Sequence, residues 1–307
     1  MKKFFYGSLA ALAVVAVSCS KDDGEYTTEF TCVTTNLVTN LSTGEVNVDP
    51  CAYRVKNEFS SGNATVSTTT LELGKKEYGM VLNAPRFASN IYNFENNGDH
   101  NMGQVVSIYD LSGSITNDPS LTVQTKIFTV SSLNFYHAYE PGSPTASPYN
   151  NVVVTQYNVG SQWLVKTFAT DATYEGKTVT SYPDASGETQ NYENEKMSYR
   201  FVMNLEENTA KMIIYDAKFA SSMPIELSAI VVEGLDITWK SGSYEITGSD
   251  IVPFVYEGTN KVPYEAFTFN SIKFEPSNDS LTQGTLDYQV AGRYSATFTG
   301  KYLAEVQ

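Results

Sequence analysis

The sequence predicts an all-β chain made of two homologous antiparallel domains, each a β-sandwich or a closed barrel. Three observations carry this. The chain is rich in strand-favouring aromatics, with 21 Tyr and 16 Phe in 307 residues, and in Thr and Val, while Ala/Leu/Glu/Lys helix-forming stretches are scarce. Apolar residues alternate with polar ones between turn signals, and no stretch keeps a helical period. Finally, one segment recurs at a fixed spacing, the mark of an internal duplication.

Residues 1–18 come before that body. Lys2 and Lys3 precede an apolar run from Phe4 to Val17, followed by small residues up to Cys19. This is the order of a secretory signal, and the run is too short for the roughly 20 residues of a membrane-spanning helix. Cleavage before Cys19 exposes a thiol and an α-amine that both accept acyl chains, and two or more chains give stable anchoring. Residues 19–25 then read as an acidic, lipidated tether.

Ala16-Val17-Ser18-Cys19 resembles a bacterial lipobox. Cys19-Ser20-Lys21-Asp22-Asp23 resembles the export signal of Bacteroides-type surface lipoproteins, which implies outer-membrane attachment with the body facing outward and Lys21, Asp22 and Asp23 as the signal. The leader holds two of the 20 basic residues and none of the 34 acidic ones, so export moves the net charge from −14 to −16. That charge makes nucleic acid and anionic headgroups poor partners. With 41% hydrophobic residues the chain has enough material for a core.

The first β-domain is assigned to 26–150. It contains Cys32 and Cys51, a candidate disulfide in an oxidising compartment, worth roughly 3 kcal/mol on the chain-entropy model, or else two reduced thiols on separate strands. The repeat begins here. Met80-Val81-Leu82-Asn83-Ala84-Pro85-Arg86-Phe87-Ala88-Ser89 matches Met212-Ile213-Ile214-Tyr215-Asp216-Ala217-Lys218-Phe219-Ala220-Ser221 at an offset of 132. The same offset lays Thr69, Leu71 and Leu73 on Phe201, Met203 and Leu205 as inward-facing positions. It also lays Val33 on Val165, and Gly44 on Gly176 as paired turn glycines. A one-residue slip turns side chains to the other face, so an ungapped match over this length implies one shared register.

The stretch from Glu140-Pro141-Gly142-Ser143-Pro144 to Pro148 cannot continue a central strand and marks the boundary. The second β-domain is therefore assigned to 151–307. Ser120-Leu121-Thr122 matches Ser280-Leu281-Thr282 at an offset of 160, so the second copy carries 28 extra residues between Ser221 and about Thr268. Gly234-Leu235-Asp236-Ile237-Thr238-Trp239, a turn at Ser241-Gly242, and Tyr244-Glu245-Ile246 read as an extra hairpin there. At the end of the chain Tyr294, Ala296, Phe298 and Tyr302 share one strand face, interrupted by Gly300. Gly242-Ser243-Tyr244-Glu245-Ile246 and the run from Val290 to Lys301 resemble calycin-like β-barrel domains of Bacteroides-type lipoproteins, which implies a barrel in this half.

Chemistry is sparse. The two histidines, His100 and His137, fit no metalloprotease or triad pattern, and no serine sits in a nucleophile elbow. Asn96-Asn97-Gly98-Asp99-His100-Asn101 offers oxygens but lacks the acidic spacing of a calcium loop and reads as a turn. No catalytic residue, metal site or cofactor is assigned. Trp239 and Tyr244 are candidates for stacking a ligand, against the commoner role of β-protein aromatics in the core; Trp163 is read as core. The leading functional reading is a noncatalytic surface module binding a glycan, an envelope protein or a small hydrophobic molecule. The alternatives are a pilin-like structural or adhesive subunit that donates a strand, and a carboxylate-based hydrolase.

Overall fold

A computed structural model describes residues 27–58, 63–84, 105–133 and 150–302. The leader, Cys19, the Lys21-Asp22-Asp23 signal, both histidines, the Asn96–Asn101 turn and the Pro-rich boundary stretch lie outside those residues. The chain forms two compact units, and the division near mid-chain falls between Thr167 and Phe168, so that the last residue of the strand completing the first barrel already belongs to the second unit.

The first unit holds β1 (Thr27–Asn40), β2 (Val46–Glu58), β3 (Asn63–Leu73), β4 (Lys76–Ala84), β5 (Val105–Ile115), β6 (Asp118–Leu133), β7 (Asn150–Val159) and β8 (Trp163–Phe168). They close into a barrel in chain order. Closure removes the sheet edges that an open sheet of this length would present. Inside, Val55, Val66, Leu71, Leu82, Leu111, Phe128 and Val165 are buried, and Trp163 packs partly buried against this core. Tyr53 sits among them, its ring edge-on to Phe128 at 5.3 Å. Its hydroxyl donates to Asn36 Oδ1 at 2.9 Å and meets the Tyr157 hydroxyl at 2.8 Å. These bonds satisfy polar groups that would otherwise be costly to bury.

The second unit contains β9 (Asp171–Pro183), β10 (Thr189–Asn194), β11 (Ser198–Asn204), β12 (Thr209–Ala217), β13 (Leu227–Lys240), β14 (Ser243–Gly248), β15 (Phe254–Glu257), β16 (Asn260–Pro263), β17 (Phe269–Pro276), β18 (Gln283–Val290) and β19 (Tyr294–Lys301). A 3-10 turn, Glu265–Phe267, leads into β17. The sheet order β12-β11-β9-β19-β18-β17-β14-β13, with β13 returning to β12, is an eight-stranded closed ring. β10 extends it beside β9, and the β15–β16 hairpin joins β13 through the pair Val231 and Phe254. That hairpin brings Phe254 and Tyr256 over Ile213, Tyr215 and Val231, a small core separate from the barrel interior.

The all-β, two-domain expectation holds, and in each copy the sandwich-or-barrel alternative resolves to a barrel. The unit boundary falls elsewhere than 150/151. β7 pairs with β6 (Val153 opposite Val130) and β8 with β7 (Lys166 opposite Gln156), so both strands complete the first barrel. The offset of 132 had aligned β8 with part of β1, which made the second copy start too early.

The ungapped register is interrupted too. A bulge between Thr68 and Leu71 shifts the side-chain phase of β3, leaving Thr69 exposed while Thr68, Leu71 and Leu73 are buried. On β11 Phe201 is buried, but Met203 is only half-buried, as is Leu205 in the turn just beyond the strand. The best-preserved correspondence is local: Met80 and Met212 are both buried, as are Leu82 and Ile214. The hairpin pairs Leu71 with Tyr78 and Met203 with Ala210, which keep the same offset.

Gly44 occupies a turn at φ +75°, whereas Gly176 lies inside β9, opposite Gly300. A Cβ on Gly176 would come within 2.2 Å of the Thr299 carbonyl oxygen, so close backbone approach, not turn geometry, fixes that glycine. The hairpin around Trp239 exists as β13–β14, with Trp239 opposite Tyr244, but it is not the extra element the sequence suggested: both strands belong to the eight-stranded ring, and the elements added outside it are β10 and the β15–β16 hairpin.

Candidate functional site

The residues singled out from the sequence separate in the structure. Tyr244 is 1% exposed, and its hydroxyl lies 3.4 Å from that of Tyr174 inside the second barrel. It packs at 5.4 Å against Phe168. Burial pushes its phenol up to about 12. Tyr244 is therefore core and presents no face to a ligand. Trp239 is half-buried, 5.8 Å from Phe168 and 5.9 Å from Tyr244. Its indole N–H donates to Asn208 Oδ1 at 2.7 Å, fastening it to the β11–β12 turn.

Cys32 and Cys51 are both buried and free, so the candidate disulfide is not formed. Each thiol has its own partner: Cys32 reaches the Tyr53 carbonyl at 3.6 Å, and Cys51 meets the Thr68 hydroxyl at 3.3 Å. Burial, then the nearby Cys51, pushes the Cys32 thiol up to about 12, which keeps it protonated and unreactive.

The second barrel is filled by aromatic side chains. Tyr174 lies 5.0 Å from Phe274 and 5.9 Å from Phe201, and Tyr199 packs at 4.4 Å on Phe298. The Tyr199 hydroxyl meets Thr178 Oγ1 and the Tyr288 hydroxyl, both at 2.9 Å. Phenols held this way are structural.

A concavity of about 530 Å³ opens instead on the outside of this barrel, across β9, β19, β18 and β17. Strand pairing builds it in rows. Lys273 on β17 stands opposite Asp287 on β18, then Thr297 on β19 and Val179 on β9. The adjacent row runs Ser271, Gln289, Ser295, Ser181 and, on β10, Asn191. The period of two explains both rows: Ile272, Tyr288 and Ala296, the alternate residues, turn inward and are buried.

Side chains within the rows are tied laterally. Thr297 donates to Asp287 Oδ1 at 2.6 Å, and Ser181 donates to Asn191 Oδ1 at 2.6 Å. Lys273 is held by Glu275 at 3.1 Å and Glu245 at 3.3 Å. Lys240 and Lys273 together hold the Glu275 carboxyl at about 2.

These residues were missed in the sequence. They lie far apart in the chain, and each alone reads as an ordinary solvent-facing strand position. Among the described residues no cluster of His, Cys, Asp and Glu is arranged to hold a metal ion. No helix among them is long and apolar enough to cross a membrane.

No family model matches the chain, and no curated protein matches it. Among solved structures, isotype 1 transferrin binding protein B from serogroup B Neisseria meningitidis aligns over 90% of this chain and 77% of its own, with 8% identity and a TM-score of 0.26. A double mutant of transferrin binding protein B from Haemophilus parasuis Hp5 aligns over 90% and 76%, with 9% identity and a TM-score of 0.24. At those values the likeness carries no inference about ligand or family, and the two-barrel architecture rests on the strand pairing of this chain.

Proposed function

We propose that this chain is a noncatalytic binding module, tethered through acylated Cys19 to the outer face of a Bacteroides-type outer membrane. Its ligand docks on the outside of the second barrel. The observation that carries this reading is the contrast, among the described residues, between barrel interiors occupied by buried side chains and the open concavity of mixed polar and apolar lining on β9, β19, β18 and β17. Among the described residues the inward-facing side chains are buried against one another, which disfavours a small hydrophobic molecule as the ligand. Asp287 is the single carboxylate lining the concavity, where hydrolysis of a glycosidic bond calls for two. Binding without turnover is the better fit.

The test is titration of the mature chain with palmitate and with soluble polar polymers of the cell envelope and surroundings. Saturable binding of a polar polymer, lost in Val179→Lys or Thr297→Lys, supports the reading. Saturable palmitate binding that survives those substitutions contradicts it.

A further inference from the structure

Resting on that reading, we propose that the outer concavity of the second barrel recognises a neutral oligosaccharide chain lying across the strands.

The first support is chemical. The row Ser271, Gln289, Ser295, Ser181 and Asn191 contains five uncharged side chains on five consecutively paired strands. Each hydroxyl both donates and accepts, and each carboxamide carries a donor and an acceptor group. A sugar hydroxyl has the same dual character, so ligand and row exchange hydrogen bonds without leaving a polar group unpaired. An anionic ligand has no such match. Lys273, the one cation lining the concavity, is already engaged by Glu275 and Glu245. Asp287 accepts from the Thr297 hydroxyl and keeps its negative charge, in a chain whose net charge is −14.

The second support is spacing. Paired strands stand about 4.8 Å apart, so a row offers one side chain at each such step. That step is comparable to the length of one pyranose ring with its bridging oxygen, and successive sugars meet successive strands. A peptide, by contrast, takes its main-chain hydrogen bonds from a sheet edge and not from a sheet face.

The third support is pre-organisation. The Thr297–Asp287 and Ser181–Asn191 bonds, each 2.6 Å, fix rotamers before the ligand arrives and reduce the entropy lost on binding. No aromatic side chain points outward in these two rows, so affinity rests on hydrogen bonds. The binding is therefore weak per sugar and grows with chain length.

The experiment is calorimetric titration of the mature chain with linear neutral gluco-, manno- and xylo-oligosaccharides, with oligogalacturonate as the anionic probe and with a blocked polar peptide. The variants are Ser271→Ala combined with Gln289→Ala, and separately Ser295→Lys. All three positions are exposed or half-exposed, so folding is preserved, and circular dichroism confirms it. The proposal expects at least one neutral series to bind, with affinity rising with length and little changed by salt. Losing two hydrogen-bonding side chains should weaken it about tenfold or more. Binding of oligogalacturonate or the peptide at this face, sensitive to the same variants and without neutral binding, overturns the sugar assignment and leaves the docking face standing. Binding indifferent to every variant overturns both.

Discussion

Truncating Trp239 to alanine separates scaffold from ligand platform. Removing a fully buried Trp costs roughly 3–5 kcal/mol. This indole is half-buried against Phe168 and Tyr244, so about 2 kcal/mol is expected from lost packing. Its hydrogen bond to Asn208, 2.7 Å long and near solvent, adds about 0.5 kcal/mol. A total near 2.5 kcal/mol lowers the midpoint of the second barrel by about 5–10 °C for a domain of this size.

The assay exploits the chain having two tryptophans, Trp163 in the first barrel and Trp239 in the second. In Trp239→Ala the remaining fluorescence follows the first barrel and should keep the parent's urea midpoint. The second barrel, followed by circular dichroism or calorimetry, should unfold earlier. Trp239→Phe should recover a large part of the loss, because the ring contacts survive without the N–H. A Trp239→Ala protein within 0.5 kcal/mol of the parent, yet weakened in ligand retention, would refute this reasoning and return Trp239 to the role of stacking platform.

Three further outcomes are expected. Burial first, then Glu72 and Glu77, raise the Asp49 carboxyl from 3.8 to about 6. The folded state therefore holds its proton longer than the unfolded state, and stability falls as pH rises from about 4 through 6. Undamped, that shift corresponds to roughly 3 kcal/mol, and solvent screening at this half-exposed site reduces it to about 1 kcal/mol. Asp49→Asn should thus stabilise the first barrel by about 1 kcal/mol at pH 8 and by little at pH 4, read from urea midpoints. In Gly284→Ala the new methyl would come within 2.3 Å of the buried Phe274 ring, which packs 4.4 Å from Phe201; a loss of about 1–3 kcal/mol in the second barrel is expected by thermal unfolding. Cys19→Ala should move the protein from the membrane to the soluble fraction, and replacing Asp22 and Asp23 by Ala should leave it lipidated but protected from protease added to intact cells.

The parts of this fold that were legible in the sequence depend on local periodicity. On β19 the alternation of Ala296 and Phe298 with exposed residues, and the burial of Tyr302 just beyond, follow from the period of two. The β13–β14 hairpin was legible from Ser241-Gly242 between two strand-like runs. Features that depend on pairing were not. The bulge at Thr68 and Leu71 exists only relative to β4, and Gly176 is explained by a carbonyl on β19 more than a hundred residues away. The repeat pointed to duplication but could not say which strand closes which barrel, so β8 was assigned to the wrong copy. The candidate site was invisible for the same reason. Ser181, Ser271, Gln289 and Ser295 become neighbours only once β9, β17, β18 and β19 are in register.

Amide hydrogen exchange across the mature chain, with and without a saturating neutral oligosaccharide, reads out where the ligand docks. Ligand docked outside the second barrel should slow exchange around Val179, Lys273, Asp287 and Thr297, while the first barrel and the segment around Trp239 stay unchanged. Protection confined to Phe168, Trp239 and Tyr244, or to strands of the first barrel, would contradict docking on that face.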